Sequence, residues 1–256
     1  MLTLDNTIAF HHLLLKISLN NVKDYPLPNN FHFEFYKDGD ERYWIEIEKS
    51  AQEFINDEEG IKAWNEYYLK NKEDLYNRLI FLVNEKNEKI GTATSYYNIE
   101  TNNKGEGYLH WVAIKKQYQG MHLAKPLITY ALKHLKELGY KEAFISTQTT
   151  TFIAAKIYLD LGATFAEKEK EIEGIQVLSK LINHPLLANI DNKDCKVYDE
   201  KALIIKNELI DKGYQINAFK IVDGVVKIIT TNYYYEFDRK LNVIRMEKIV
   251  WKQFIC

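Results

Sequence analysis

The sequence predicts an α/β fold, more closely α+β: a mixed, mostly antiparallel sheet flanked by helices, then a small helix with an antiparallel meander. Three observations predict it. Residues 108–114 read as a strand and 117–124 as a turn around Gly120. The chain then enters a helix at once, with Leu123, Leu127, Ala131, Leu135 and Leu138 forming one apolar stripe. Short apolar runs of strand type bracket this unit at 31–35, 80–83, 90–97 and 143–147. Beyond His184-Pro185 the pattern changes to one helix followed only by strand candidates.

Residues 1–30 are an N-terminal extension, in which 8–19 suits a helix or a strand. Tyr25 and Leu27 each precede a proline and are held extended. Residues 31–35 alternate as a strand does. Asp38-Gly39 turns the chain, and Asp40 is placed to cap a helix running to about 52. A second helix over 57–76 carries Trp64, Tyr67 and Tyr68, aromatics that suit a core as well as a site. A hairpin joins 80–83 to 90–97, a polar loop covers 98–105, and the central strand begins at Gly107. Pro126 requires the first turn of its helix, where its missing N–H costs nothing, so that helix starts between His122 and Lys125. Gly139 ends it as a left-handed cap. A strand at 143–147 leads to a helix that Thr150 or Thr151 can cap. Residues 165–181 read as two closing strands turning at Glu173-Gly174. The main domain therefore spans 31–185.

Residues 186–256 form a small α+β domain. It has a helix over 199–212, ended by Gly213, and strands at 215–222, 225–237 and 243–254, with a hairpin turn at Asp223-Gly224. Twelve Lys/Arg against ten Asp/Glu leave it near neutral. Tyr233-Tyr234-Tyr235 either presents a binding surface or alternates between a core and solvent.

Composition narrows the function classes. With 256 residues, 46% of them hydrophobic, the chain can bury a sizeable core. A net charge of −2 gives no pull toward nucleic acid or an anionic membrane. Residues 8–15 are apolar but short and interrupted by His11 and His12, which fits neither a signal peptide nor a membrane span. Cys195 and Cys256 are the two cysteines, and they make no disulfide framework or metal spacing. A cytoplasmic protein with no metal is expected.

A turn feeding directly into a helix presents unpaired N–H groups at the positive end of the helix dipole, a ready site for phosphate. Gly120 would let the backbone approach such a ligand. An ordinary strand-to-helix turn also carries one glycine, so the residues alone leave both readings open. The stretch resembles motif A of the GNAT superfamily of acyl-CoA-dependent N-acetyltransferases. Val112-Ala113-Ile114 match the end of its bulged strand, and Gln119, Leu123 and Ala124 match the turn and helix. His122 stands where the motif has glycine. Residues 151–165 resemble motif B, through Ala154, Tyr158, Gly162 and Phe165. The resemblance covers about 31–185.

The resemblance implies a GNAT fold whose central strands splay apart. It implies transfer of acetyl from acetyl-CoA to a primary amine by direct attack in a ternary complex. Backbone groups of Val112, Ala113 and Ile114 would hold the pantetheine arm and polarise the thioester carbonyl. Gln119, Gly120, Met121, His122, Leu123, Ala124 and Lys125 would hold the pyrophosphate. Gln148 and Thr151 would touch the arm or the acceptor, and the helical pair over 40–76 would cover the acceptor site. Tyr158 would donate a proton to the leaving thiolate, a role its ordinary pKa near 10 permits; a core tyrosine is the plainer reading. Glu106 and His110 are the candidates for base, with His110 placed by strand parity on the face of Val112 and Ile114. Expected partners are acetyl-CoA and an amine, with no metal, nucleic acid or membrane; a homodimer stays open. The rival function is a non-catalytic acyl-CoA sensor or interaction protein with a site altered at His122, and a third reading is use of a longer acyl-CoA.

Overall fold

A computed structural model describes residues 4–98, 101 and 103–249. Its main sheet has seven strands. In chain order these are β1 (His12–Ser18), β2 (Phe31–Phe35), β3 (Leu79–Asn84), β4 (Lys89–Asn98), β5 (Asn103–Ile114), β6 (Glu142–Gln148) and β7 (Thr164–Phe165). Their order across the sheet is β2-β3-β4-β5-β6-β1-β7. All neighbours pair antiparallel except β5 and β6, which run parallel.

Two helical layers cover the sheet. On one face lie α1 (Glu41–Ser50) and α2 (Asp57–Tyr67), over a core rich in aromatics: Trp44, Trp64, Tyr68, Phe81 and Tyr96. On the other lie α3 (Ala124–Glu137), α4 (Phe152–Asp160) and α5 (Ile172–Leu181), over an aliphatic core that includes Leu13, Leu15, Leu82, Leu127, Leu135 and Ile145. Helix α3 starts where Pro126 requires, and Gly139 ends it at φ +97, with Tyr140 N–H bonded to the Leu135 carbonyl at 3.1 Å.

Several expectations change. Residues 8–19 resolve to the strand β1, which lies between β6 and β7 in full register from His12↔Gln148 to Ser18↔Glu142. That place is the one the expected closing strands would need. The span 165–181 accordingly supplies only β7 and then α5, whose Gly174 packs close against His11 and Leu13 of the N-terminal strand segment. The second helix ends at Tyr67; a kinked 3-10 segment, Leu69–Asn77, continues it past Asn71 at φ −126, ψ 36. Asp40 sits at the start of α1 without capping it, because its carboxylate accepts from Lys37 N–H and pairs with Lys89. Thr151 likewise precedes α4 without a side-chain cap; its hydroxyl donates to the Gln148 carbonyl. The central strand begins at Asn103, before Gly107, so the polar loop is shorter.

A second body follows. Helix α6 (Glu200–Asp211) is capped by Asp199, whose carboxylate accepts from the N–H groups of Lys201 and Ala202. It packs on β8 (Ala218–Val222), β9 (Val225–Ile229), β10 (Tyr233–Phe237) and β11 (Val243–Lys248), in the order β11-β10-β9-β8. The expected strand over 225–237 is two strands, because Thr230 turns the chain by bonding Tyr233 through both backbone and hydroxyl. Tyr234 is buried and Tyr235 half-buried, which gives the tyrosine run a packing role. The expected strand end beyond residue 249, and Cys256, lie outside the described residues. Cys195 is a free thiol.

This body docks on α1, α2 and the N-terminal segment. Lys227 pairs with Glu59 at 2.7 Å, Gln52 donates to the Asn217 carbonyl and Asn6 to the Phe219 carbonyl. No helix among the described residues is long and apolar enough to cross a membrane.

Candidate active site

The site begins with a departure from strand geometry. Thr92 pairs with Ala113 but Thr94 pairs with His110, so two residues of β5, Trp111 and Val112, face the single Ala93. This is a β-bulge, and Trp111 takes φ +46 to make it. The bulge reverses the expected parity of His110. Val112 and Ile114 pack on the aliphatic core, while His110 and Trp111 turn to the aromatic layer beneath α1 and α2. Strand alternation fails here because one extra residue shifts every side chain before it to the other face.

The same strand parts from its parallel neighbour. Among the described residues, β5 and β6 pair only at Gly107↔Ala143 and Tyr108↔Phe144. From Leu109 onward β5 diverges from β6, and a wedge opens between them toward the bulge and the turn. Ile114 closes the strand, and Gln119 reaches back to donate to its carbonyl at 2.9 Å. That bond ties the turn to the strand end.

The turn feeds directly into α3. Gly120 sits at φ +82 and His122 at φ +59, and α3 begins two residues later. His122 therefore holds the left-handed conformation that a glycine would hold, and histidine is among the residues that tolerate it. Met121 and His122 are exposed, Leu123 is buried, and Ala124 and Lys125 are half-buried at the helix start. The Lys125 ammonium lies over the Tyr25 ring, 5.4 Å from its centroid.

Tyr158 is buried on α4, only 6% exposed. Burial raises its pKa above the ordinary phenol value, and the nearby carboxylates of Glu53 and Glu48 push it the same way. The group keeps its proton at neutral pH. Gly162 lies beyond the helix end at φ +100, and Ala163 N–H bonds back to the Tyr158 carbonyl at 3.0 Å.

His110 lies with its ring among Tyr67, Tyr68, Tyr96 and Trp111. Its Nδ1 is 3.2 Å from the Tyr68 hydroxyl, which also donates to Thr94 at 2.9 Å. Burial pulls the imidazole pKa down to about 3, so it is neutral and a weak base. Glu106 stands apart. It accepts from Asn98 at 2.9 Å and lies four residues back along β5, about 13 Å from His110 by strand rise. Gln148 and Thr151 meet at the end of β6, where the Thr151 hydroxyl is also 3.3 Å from that of Thr147.

Two residues escaped the sequence reading. Glu48 and Glu53 lie within electrostatic reach of each other and of Tyr158. Glu48 lies four residues after Trp44 on one face of α1, which in sequence is only a charge within an amphipathic helix.

Residues 42–163 match the model of the Acetyltransferase (GNAT) family. The chain carries a GNAT acetyltransferase domain. Among solved structures, a GCN5-related N-acetyltransferase from Sphaerobacter thermophilus is similar at TM-score 0.50 and 16% identity, over 62% of this chain and 49% of that one. A GNAT-family acetyltransferase from Colwellia psychrerythraea gives 0.47 and 15%, over 63% and 55%. Glucosamine-6-phosphate N-acetyltransferase from Arabidopsis thaliana gives 0.35 and 19%, over 52% and 90%. The chain thus spans about half the length of the first of these structures. At 16% identity the likeness to the first of these is one of fold. Comparison with curated proteins returns no significant match. The splayed β5–β6 pair and the turn before α3 both fall inside the GNAT domain, whose family chemistry is acyl transfer. Among the described residues no three His, Cys, Asp or Glu side chains are grouped to hold a metal.

Proposed function

We propose that the protein transfers an acetyl group from acetyl-CoA to a primary amine by direct attack in a ternary complex. The observation that carries this is the wedge between β5 and β6, which leads from the bulge at Trp111–Val112 to the turn at Gln119–Ala124. The turn's N–H groups and the α3 dipole would hold the pyrophosphate, with Lys125 beside it. Backbone groups of residues 112–114 would hold the arm and polarise the thioester carbonyl. Tyr158 would protonate the thiolate that leaves, and its raised pKa keeps it in the donating form. Gln148 and Thr151 would line the arm's other side. His110 and Glu106 remain proposals for the base, and the low basicity of His110 and the remoteness of Glu106 weigh against both.

The domain limits 31–185 and 186–256 and a cytoplasmic setting belong to the same reading. The rival, a non-catalytic sensor, draws on His122; its left-handed φ keeps the turn's path and so favours a working site. The direct test is a thermal melt with CoA followed by thiol release with acetyl-CoA and amines. A ligand that binds only the folded state stabilises it by about 2.7 kcal/mol at a hundredfold excess over Kd. A melt unmoved by millimolar CoA would overturn the site; stabilisation without turnover of any amine would favour the sensor.

A further inference from the structure

Beneath α1 the fold gathers buried polar atoms that have no partner. Glu48 is fully buried, and neither carboxylate oxygen has a hydrogen-bond partner. The indole N–H of Trp44, one turn earlier on α1, is likewise buried and unpartnered, as is that of the bulge residue Trp111. So is the hydroxyl of Thr92, which pairs across β4–β5 with Ala113 beside the bulge. The Trp44 and Trp111 rings meet edge to face at 5.2 Å, and Phe54 leans on both. Donors and acceptors therefore share the layer between α1 and the bulge, next to where the wedge opens.

An unpaired carboxylate is among the most costly groups to bury, and well-packed apolar residues in its place are often at least as stable. Several such groups together call for a functional explanation beyond packing. The groups within electrostatic reach of Glu48 define its chemistry. Glu53 comes from the turn after α1, Tyr68 from the end of α2, Tyr158 from α4, and His110 from β5 through Tyr68. Lys220 of β8 reaches Glu53, donating to its carbonyl at 3.3 Å. Two carboxylates near an aromatic layer that holds Trp44, Trp111 and Tyr68 suit a cation: the carboxylates supply counter-charge and ring faces can add cation–π attraction.

We propose that Glu48 is the proton acceptor for the attacking amine, and that the acceptor is a compact aliphatic primary amine with no carboxylate or phosphate beside its nitrogen. This rests on the acetyl-transfer reading above. The amine arrives as an ammonium and gives one proton to Glu48. Its freed lone pair forms the C–N bond to the thioester carbonyl carbon, and the C–S bond breaks. The departing sulfur takes the Tyr158 proton, and the second proton that nitrogen sheds on becoming an amide restores the phenol. Glu48 then releases its proton to solvent. Burial and the charge of Glu53 raise the affinity of Glu48 for a proton, the direction a base requires. An acceptor bearing its own carboxylate would set a third negative charge against Glu48 and Glu53.

The test uses the full chain, acetyl-CoA and matched amines: isobutylamine against valine, and 3-methylbutylamine against leucine. The expected kcat/KM favours the member without the carboxylate by about tenfold or more. Glu48→Gln keeps the shape and removes the charge. It should lower kcat/KM for the amine by about a hundredfold or more and abolish the pH limb of the wild type. Its melting temperature and its stabilisation by CoA should match or exceed those of the wild type. Glu53→Gln should act more weakly and move that limb to lower pH. Equal kcat/KM and equal pH profiles in wild type and Glu48→Gln would overturn the role of Glu48. CoA binding with both amine classes used equally, or with neither used, would overturn the acceptor class. Failure of CoA to stabilise the wild type would instead overturn the acetyl-transfer reading itself.

Discussion

Trp111 takes one unusual backbone angle, and that angle decides which layer His110 serves. The site is built from such single-residue facts. Tyr158 is buried with its proton held, so Tyr158→Phe should lower kcat by about 10²–10⁴ while CoA affinity stays the same. Stopped-flow and steady-state rates with a fast acceptor would check this; an unchanged kcat with chemistry rate-limiting would return Tyr158 to the core. His122 carries the strain of a left-handed residue, roughly 1 kcal/mol, and glycine would lose about as much in unfolded-state freedom. His122→Gly should therefore leave the melting temperature and CoA binding nearly unchanged. Calorimetry showing lost affinity would place the imidazole on the pyrophosphate. Glu48 and His110 titrate with opposite consequences. Glu48 binds its proton more tightly when folded, so its contribution to stability is complete below the ordinary carboxylate pKa of 4.5 and is lost as pH rises through the raised folded value. Glu48→Gln should gain on the wild type as pH rises, in urea melts compared across pH. His110, lowered from 6.5 to about 3, contributes stability that is present above 6.5 and lost as pH falls toward 3.

At the scale of elements, β1 is the piece on which the sheet depends. It pairs with β6 along seven residues, and Leu13, Leu15 and Ile17 fill the aliphatic core. Thr149 fastens its approach, accepting from His11 N–H and donating to the Ala9 carbonyl. The Glu171 carboxylate accepts from Leu14 N–H and fixes α5 over the strand. Leu15 is fully buried, so Leu15→Ala should cost about 2–5 kcal/mol in urea unfolding. A smaller loss would mean that the strand is peripheral. On the other face, the aromatic stack beneath α1 and α2 would line the acceptor side in the proposed reading. Its rings touch in chains, Tyr68 to Trp44 to Trp111, so a change at one ring should be felt by its neighbours in a double-mutant comparison.

At the scale of the whole molecule, two sheets are joined through α1 and α2. The body over 200–248 grips the helices that cover the aromatic layer, and Lys220 comes near Glu53. The Lys227–Glu59 pair is mostly buried, with 16% and 23% of the side chains exposed, and Glu59 also accepts from Ile55 N–H. Lys227→Met should destabilise the protein by about 1 kcal/mol, because Glu59 loses a charged hydrogen bond. Arg245, paired with Glu58 at the surface, should matter little when replaced by alanine. Equal losses at the two positions, measured by denaturant unfolding, would mean that the dock is held by its apolar contacts and backbone bonds.

Local patterns settled much of this protein from sequence alone. The apolar stripe from Leu123 to Leu135, Pro126 in the first turn and Gly139 past the end specify α3, since each acts through neighbours a few residues away. Asp223-Gly224, at φ +52 and +78, specifies its hairpin for the same reason. The turn at Gly120 was legible because a helix start and a glycine are local features. What lay beyond reach depended on distant partners. Residues 12–18 became a strand because β6 had an open side, and 172–181 became a helix because that side was taken. The bulge that turned His110 away from Val112 depends on the pairing of β5 with β4. Glu48 looked like one more charge on an amphipathic helix; only the packing of α1 onto the aromatic layer removed that carboxylate from water and from every hydrogen-bond partner.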